Sequence, residues 1–142
     1  MAILVLISGS NNSGKSIYAE QLIAKTTGAR YYIATMLPCT EDNHRRIEKH
    51  RVQRQGLGFD TIECPYQVGN ALVSSGGVVL LEDVSNLLAN AMFEKGGDPD
   101  SVLHDICVLA DRCKILVAVT ISDLKDDGYD EETVAYINGL NI

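Results

Sequence analysis

Short runs of Val, Ile and Leu recur along the chain, and stretches with helical spacing separate them. The clearest runs are residues 3–7, 31–34, 78–81 and 115–120. The first and third are continuously apolar rather than alternating, which is typical of strands covered by helices on both faces. Strands that alternate with helices predict an α/β fold, in which a mainly parallel central sheet lies between two helical layers as a three-layer sandwich.

Glycine and proline residues occur in the segments between these runs and mark the ends of the predicted helices. Asp98-Pro99 is typical of an N-cap followed by proline in the first helical turn. The helix that it begins has an apolar stripe formed by Val102, Ile106, Leu109 and Ala110. The pattern predicts helices at about 15–25, 41–55, 67–73, 85–93 and 98–112, a minor strand at 59–63 and a last strand at 133–137.

Length, charge and cysteine usage limit the class of protein. A chain of 142 residues, 46% of them hydrophobic, predicts a single domain over residues 1–142. The formal net charge of −7 argues against a general nucleic-acid binder. The apolar start has no basic leader and is too short to span a bilayer, and the four cysteines form no Cys-x-x-Cys pair. We therefore expect a cytoplasmic protein with reduced thiols, no membrane span and no nucleic-acid partner.

A glycine-rich loop joins the first predicted strand to the first predicted helix. Its residues fit the pattern G-x-x-x-x-G-K-[ST]: Gly9, Ser10, Asn11, Asn12, Ser13, Gly14, Lys15 and Ser16. Backbone N–H groups of such a loop hold phosphates, the lysine reaches the β and γ phosphates, and the serine ligates Mg²⁺. A chance match in a turn is the alternative, but it does not account for the flanking strand and helix. The loop predicts a P-loop NTPase-like fold that binds a nucleoside triphosphate, with Lys15 as a catalytic residue.

A second magnesium ligand is expected at the end of a neighbouring strand. Of the apolar runs, only residues 78–81 lead directly into carboxylates, Glu82 and Asp83. Asp83 also suits an N-cap of the helix that follows, and the two roles for Asp83 are equally compatible with the sequence. Glu82 is therefore the predicted catalytic and metal-binding carboxylate.

A basic cluster interrupts this acidic chain. Within ten positions the sequence holds five of its twelve Lys and Arg residues, namely Arg45, Arg46, Lys49, Arg51 and Arg54. On a helix, Arg46, His50 and Arg54 share one face, where they could bind a nucleotide phosphate. His50 could then attack phosphorus as a neutral imidazole that the arginines keep unprotonated. The alternative is an ordinary solvated helix face.

Several segments resemble the bifunctional adenosylcobinamide kinase / adenosylcobinamide-phosphate guanylyltransferase family of cobalamin biosynthesis. Besides the phosphate loop, they are Tyr32-Ile33-Ala34-Thr35, Arg46-Ile47-x-x-His50-Arg51-x-x-Arg54, Thr61-Ile62-Glu63, Leu80-Leu81-Glu82 with Asn90 in the following helix, and Tyr136-Ile137-Asn138-Gly139-Leu140. Two positions depart from the family pattern. Asn11-Asn12 stands where the family commonly has Ala-Arg, and Ile121-Ser122 follows Thr120 where the family has Asn-Glu-Val-Gly.

The resemblance implies two linked activities. His50 corresponds to the histidine that takes GMP from GTP as a phosphoramidate, and Arg46, Arg51, Arg54 and Glu63 correspond to nucleotide-binding positions. Lys15, Ser16, Glu82 and Mg²⁺ would transfer a γ-phosphoryl group to the hydroxyl of the corrinoid adenosylcobinamide. The resemblance also implies a homo-oligomer.

Two other functions are compatible with the same residues. One is a P-loop kinase of another small molecule, in which His50 has no chemical role. The other is a catalytically weak nucleotide-binding protein. The choice between ATP and GTP stays open as well, because the chain has no guanine-reading Asn-Lys-x-Asp motif.

Overall fold

Five parallel strands form one sheet in the computed structural model, which describes residues 3–10, 14–37, 41–93 and 98–121. The strands are β1 (Ile3–Gly9), β2 (Arg30–Ala34), β3 (Phe59–Glu63), β4 (Val78–Glu82) and β5 (Ile115–Ile121). The helices within these ranges are α1 (Lys15–Ala24), α2 (Glu41–Gln53), α3 (Val84–Phe93) and α4 (Val102–Asp111). The strand order is β1-β5-β4-β2-β3, and each neighbouring pair is parallel.

The core lies on both faces of this sheet. Every residue of β4 is buried, which explains why its sequence is a continuous apolar run. On one face, α1 packs through Ala19 and Ile23. On the other face, α3 and α4 pack through residues such as Leu88 and Leu109. The predicted α/β class and its layered arrangement are therefore confirmed.

The expectation that β1 is covered on both faces is wrong. Within the described residues β1 is an edge strand, and its Ile3, Leu4 and Leu6 are at least half exposed.

The register brings the carboxyl ends of three strands together. Ala34, at the end of β2, is paired with Glu63 of β3 on one side and with Glu82 of β4 on the other. The phosphate loop leaves β1 at the same edge, because Gly9 is paired with Ile121 at the end of β5. Residues far apart in the sequence thus meet where parallel α/β sheets bind ligands.

The predicted helix at 67–73 is wrong. Only Val68–Asn70 is helical, as a short 3₁₀ turn, because Gln67 has a left-handed φ of 51° and Ala71 is extended. Packing against α4 holds the turn in place: a Cβ on Gly69 would lie 3.1 Å from Oδ1 of Asp105. Tertiary contacts here override the helical pattern.

The other predicted elements are observed with small shifts at their ends. α1 and α2 end one and two residues before the predicted bounds, and α3 begins one residue earlier than predicted. Asp98 acts as the expected cap and accepts a hydrogen bond from the backbone of Asp100. The turn that it begins, Pro99–Ser101, is 3₁₀ and precedes α4. The strand predicted at 133–137 lies outside the described residues.

The lengths and polarities of the described helices can be compared with those that a membrane span requires. A helix needs about 20 mostly apolar residues to cross a bilayer. α2, the longest described helix, has 13 residues, including several charged ones. No helix within the described ranges combines the length and hydropathy of a membrane-spanning segment.

Candidate nucleotide site

The two ends of the phosphate loop are seen where the sequence pattern requires them. Gly9 and Ser10 follow β1, and Gly14 is the residue before α1, while Asn11, Asn12 and Ser13 lie outside the described residues. Gly14 has a φ of 84°, a left-handed conformation that favours glycine.

Lys15 and Ser16 form the first turn of α1, beside this loop. The Lys15 ammonium donates a hydrogen bond to the carbonyl oxygen of Ser10, 3.2 Å away, so the lysine bends back over the loop. Ser16 is half-buried next to it. This arrangement keeps a positive charge and the amino terminus of a helix at one end of the sheet, where an anion would be stabilised.

Glu82 ends β4 with a buried carboxylate that is 8% exposed. Its Oε2 accepts a hydrogen bond of 2.9 Å from the hydroxyl of Tyr32. Burial raises the pKa of Glu82 to about 7, and the Tyr32 hydrogen bond opposes that rise without cancelling it. The site therefore holds a carboxyl group that titrates near neutral pH.

His50 lies next to this carboxylate. Its Nδ1 is 3.8 Å from Oε2 of Glu82. Nδ1 is buried and has no hydrogen-bond partner among the described residues. Burial lowers the pKa of His50, and the positive charge of Arg54 lowers it further. A neutral imidazole was expected here because of the arginines, but the structure assigns the larger effect to burial.

Arg54 lies just beyond α2 and is buried rather than solvated. Its guanidinium carbon is 3.7 Å from the centroid of the Tyr32 ring, and Nη2 donates to the hydroxyl of Thr61 at 3.2 Å. Nη1 is buried without a hydrogen-bond partner among the described residues. Arg54 therefore offers a donor to a ligand while its cation–π contact holds the end of α2 against the sheet.

The remaining predicted nucleotide-binding residues are more exposed. Arg46 is on the surface of α2, and its charge contributes to the lowered pKa of His50. Arg51 pairs with Glu48 across one helical turn, with both side chains more than half exposed. Glu63 is exposed at the end of β3 and is separated from Glu82 by β2. The structure thus brings His50, Arg54 and Glu82 together and leaves these three at the periphery.

A small cavity lies between α2 and the strand ends. Both unpartnered nitrogens belong to residues that line it, His50 and Arg54. Ala34, Met36 and Ile47 supply apolar walls. The combination of apolar walls with a few convergent polar groups is typical of a small-molecule site.

Asp83 acts as the N-cap of α3. Its Oδ1 accepts a hydrogen bond of 2.7 Å from the backbone N–H of Asn86, which confirms the capping interpretation of this residue. Within the described ranges, no group of three His, Cys, Asp or Glu side chains is placed to hold a metal ion.

Sequence reasoning missed Tyr32 and Thr35 as site residues. Tyr32 is 4% exposed and donates to Glu82. Thr35 is fully buried and bonds to the backbone of Glu82 and Asp83. The available signal was a tyrosine within the apolar run at 31–34 and a threonine directly after it, because buried hydroxyls require hydrogen-bond partners.

Comparison with known proteins adds an independent finding. The family described as cobinamide kinase / cobinamide phosphate guanyltransferase matches residues 5–126. The bifunctional adenosylcobalamin biosynthesis protein CobU of Escherichia coli (strain K12) is 34% identical over 101 residues, which cover 69% of this chain and 55% of that protein. The Salmonella typhimurium (strain LT2) protein of the same name is 28% identical over 123 residues, covering 82% and 67%.

The match covers only part of the relatives. The aligned region spans 55% of the length of the first relative and 67% of the second. The family match nevertheless covers most of the described sheet, including the phosphate loop, His50 and Glu82. The resemblance seen in the motifs is confirmed, and the chain belongs to the cobinamide kinase / cobinamide phosphate guanyltransferase family.

Proposed function

We propose that this protein is an adenosylcobinamide kinase and adenosylcobinamide-phosphate guanylyltransferase of cobalamin biosynthesis, with His50 as the guanylylated residue. The observation that carries the proposal is the position of His50, whose imidazole lines a cavity next to the carboxylate of Glu82. The lowered pKa of His50 supports it, because a nucleophilic imidazole must be neutral.

In the first transfer, Nε2 of His50 attacks the α-phosphorus of GTP. A P–N bond forms, the bond from the α-phosphorus to the bridging oxygen breaks, and pyrophosphate leaves with that oxygen. Nδ1 keeps its proton and directs it toward Oε2 of Glu82, which is 3.8 Å away. A shorter contact in the complex would fix the tautomer and stabilise the positive charge that develops on the ring.

In the second transfer, a phosphate oxygen of adenosylcobinamide phosphate attacks the same phosphorus. The P–N bond breaks, and the histidine returns to its starting state as the guanylylated corrinoid forms. The unpartnered Nη1 of Arg54 lines the same cavity and can donate to a phosphoryl oxygen during both transfers.

The kinase activity would use the phosphate loop and the first turn of α1. Backbone N–H groups of the loop and the Lys15 ammonium hold the β and γ phosphates of GTP or ATP. The oxygen of the corrinoid hydroxyl bonds to the γ-phosphorus and its proton is released to water, while the bond from the γ-phosphorus to the bridging oxygen breaks and the nucleoside diphosphate leaves with that oxygen. Lys15 contributes by positioning and by neutralising charge. Gly9, Ser10 and Gly14 shape the loop, and Arg46, Arg51 and Glu63 surround the nucleotide in this proposal.

The residues present fit a bound Mg²⁺. Magnesium prefers oxygen ligands, and Ser16 and Glu82 supply a hydroxyl and a carboxylate. Glu82 is buried with a raised pKa, so a nearby cation would favour its ionised form. When bound, Mg²⁺ would neutralise charge on the phosphates.

Location and assembly belong to the same proposal. We place the protein in the cytoplasm, as a homo-oligomer that acts on a nucleotide and a corrinoid and not on nucleic acid. The acidic composition supports the last point, since the net charge is −7.

Labelling with α-labelled GTP tests the proposal. The wild-type chain should retain label in an acid-labile, base-stable form, as a phosphoramidate does, and His50→Ala should retain none. His44→Ala is the matched control, because His44 is exposed on the same helix and should not affect labelling. A label that survives His50→Ala would contradict the proposal.

Two other outcomes would point to the alternative functions. Nucleotide turnover that is lost with Lys15→Ala but unchanged in His50→Ala would indicate a kinase of another small molecule. Tight GTP binding with neither label nor turnover would indicate a nucleotide-binding protein without this chemistry.

A further inference from the structure

An asparagine of α3 joins the loops that follow two strands. The side-chain amide of Asn90 donates to the carbonyl oxygen of Thr35 at 2.7 Å and to that of Pro65 at 3.0 Å. Thr35 follows β2 and Pro65 lies two residues beyond β3. Both N–H groups of one amide are thus used to hold two backbone segments at a set separation.

Thr35 continues this connection to β4. Its hydroxyl accepts from the backbone N–H of Asp83 at 2.9 Å and lies 3.1 Å from the carbonyl oxygens of both Glu82 and Asp83. The single hydroxyl proton can serve one of these carbonyls at a time. The backbone N–H of Thr35 also donates to the Glu82 carbonyl at 3.3 Å. Thr35 is fully buried, so water cannot replace these bonds.

We propose that Asn90 and Thr35 are positioning residues, which together form a clasp that fixes the backbone of Glu82 and so the distance from its carboxylate to His50. Neither residue is needed as a donor to the reacting atoms for this role. The inference rests on the proposed function, because its effect is measured through guanylylation of His50.

The clasp acts on a distance that is critical in the proposed reaction. Oε2 of Glu82 must approach within hydrogen-bond reach of His50 Nδ1 from the observed 3.8 Å. A displacement of about 1 Å in such a group can cost about 100-fold in rate. Removing the Asn90 amide frees the loops after β2 and β3, and we expect the rate of His50 labelling at saturating GTP to fall between about 10- and 100-fold. The GTP concentration for half-maximal rate should change less than threefold.

The test measures labelling rates of the full chain with α-labelled GTP for Asn90→Ala, Thr35→Val and the double variant. If Asn90 acts through Thr35, the double variant should be no slower than the slower single variant. Asn70→Ala is the matched control, since this exposed asparagine donates from its side-chain amide to the side chain of Gln67 and should label at the wild-type rate.

Several outcomes would overturn the inference. One is a wild-type rate in Asn90→Ala, and another is a double variant in which the two losses multiply. A loss that appears only as a higher GTP requirement would also contradict it. If Asn90→Ala does not fold, the comparison of Thr35→Ser with Thr35→Val replaces it. Serine keeps the hydroxyl, so Thr35→Ser should label at the wild-type rate and Thr35→Val should label more slowly. Equal labelling rates in these two variants would contradict the clasp.

The failure of the proposed function would look different. In that case the wild-type chain itself would not be labelled at His50, whatever residue stands at position 90. A labelled wild type with an unaffected Asn90→Ala would instead refute the clasp alone.

Discussion

At the scale of single residues, Glu82 shows how burial changes the chemistry of a carboxyl group. Its pKa rises from 4.5 to about 7 because the charged form is desolvated. The tyrosine hydroxyl that bonds to it lowers the pKa but does not compensate for burial. The folded protein therefore holds a proton at this position under conditions in which the unfolded chain does not.

The raised pKa predicts a pH-dependent cost in stability. Well below pH 4.5, Glu82 is protonated in both states and costs nothing. As the pH rises above 4.5 the unfolded chain releases this proton while the folded state keeps it, so the folded state loses stability until Glu82 is ionised in both states above about pH 7. Without divalent metal, wild type should lose about 3 kcal/mol of unfolding free energy relative to Glu82→Gln between pH 4.5 and 8. Urea unfolding of both proteins in EDTA measures the difference. Parallel pH profiles would contradict the assigned pKa.

Tyr32→Phe isolates the hydrogen bond to this carboxylate. The bond matters most when Glu82 is ionised, so the variant should lose about 1–3 kcal/mol at pH 8 and less at pH 5. Urea unfolding at the two pH values checks this expectation. The exposed Tyr18 offers a control, and Tyr18→Phe should be neutral at both values. An equal loss for Tyr32→Phe at pH 5 and pH 8 would argue for a packing effect instead.

At the scale of secondary-structure elements, α2 differs from the other described helices because none of its residues is fully buried. Contacts at its carboxyl end hold it. Arg54 stacks on Tyr32, and Gln53 donates to Glu20 of α1. The helix that carries His50 therefore depends on a few polar contacts rather than on a hydrophobic face.

Arg54→Lys tests this dependence, because lysine keeps the charge but loses the planar fork that stacks on the ring and reaches Thr61. Amide hydrogen exchange should speed up in α2 by about 3- to 30-fold and stay unchanged in β4, corresponding to roughly 0.5–2 kcal/mol. Arg51→Lys, at an exposed ion pair, is the matched control and should change little. Unchanged hydrogen exchange in α2 would contradict the role of Arg54 in holding this helix.

The strands could be predicted from sequence better than the connections. β4 and β5 are recognisable because strands buried on both faces must be continuously apolar. The helix predicted at 67–73 is wrong because the backbone of Gln67 is left-handed, which ends a helical pattern. A glutamine does not indicate that conformation as clearly as a glycine would. Which tertiary contacts favour such a conformation cannot be read from local periodicity.

The site was predictable where a motif implies its own geometry. A glycine-rich loop and a carboxylate after a buried strand place Lys15 and Glu82 at one edge of a parallel sheet. The burial of Arg54 was not predictable, because a basic helix gives no sign of which arginine stacks on an aromatic ring. The same holds for Asn90, whose two acceptors are backbone carbonyls in other segments.

At the scale of the whole molecule, nucleotide binding should stabilise the fold by mass action. Ligand at 100 times its Kd adds about 2.7 kcal/mol to the unfolding free energy if only the folded state binds. GTP with Mg²⁺ should therefore raise the Tm of wild type, and Lys15→Ala should abolish most of the shift. Lys25→Ala, at the exposed end of α1, should keep it. Equal shifts in all three proteins would place the nucleotide away from the loop.

The insertion of β5 between β1 and β4 has a consequence for the ligands that can fit. The phosphate loop and Glu82 leave strands that are two spacings apart, roughly 9–10 Å. The end of β5 lies in that interval and carries Thr120, a small buried residue whose hydroxyl is 3.3 Å from that of Ser85. If the phosphates of the proposed nucleotide span this interval, the strand order sets the length available to them, and a bulkier side chain in place of Thr120 would reduce that length without changing a proposed reacting group.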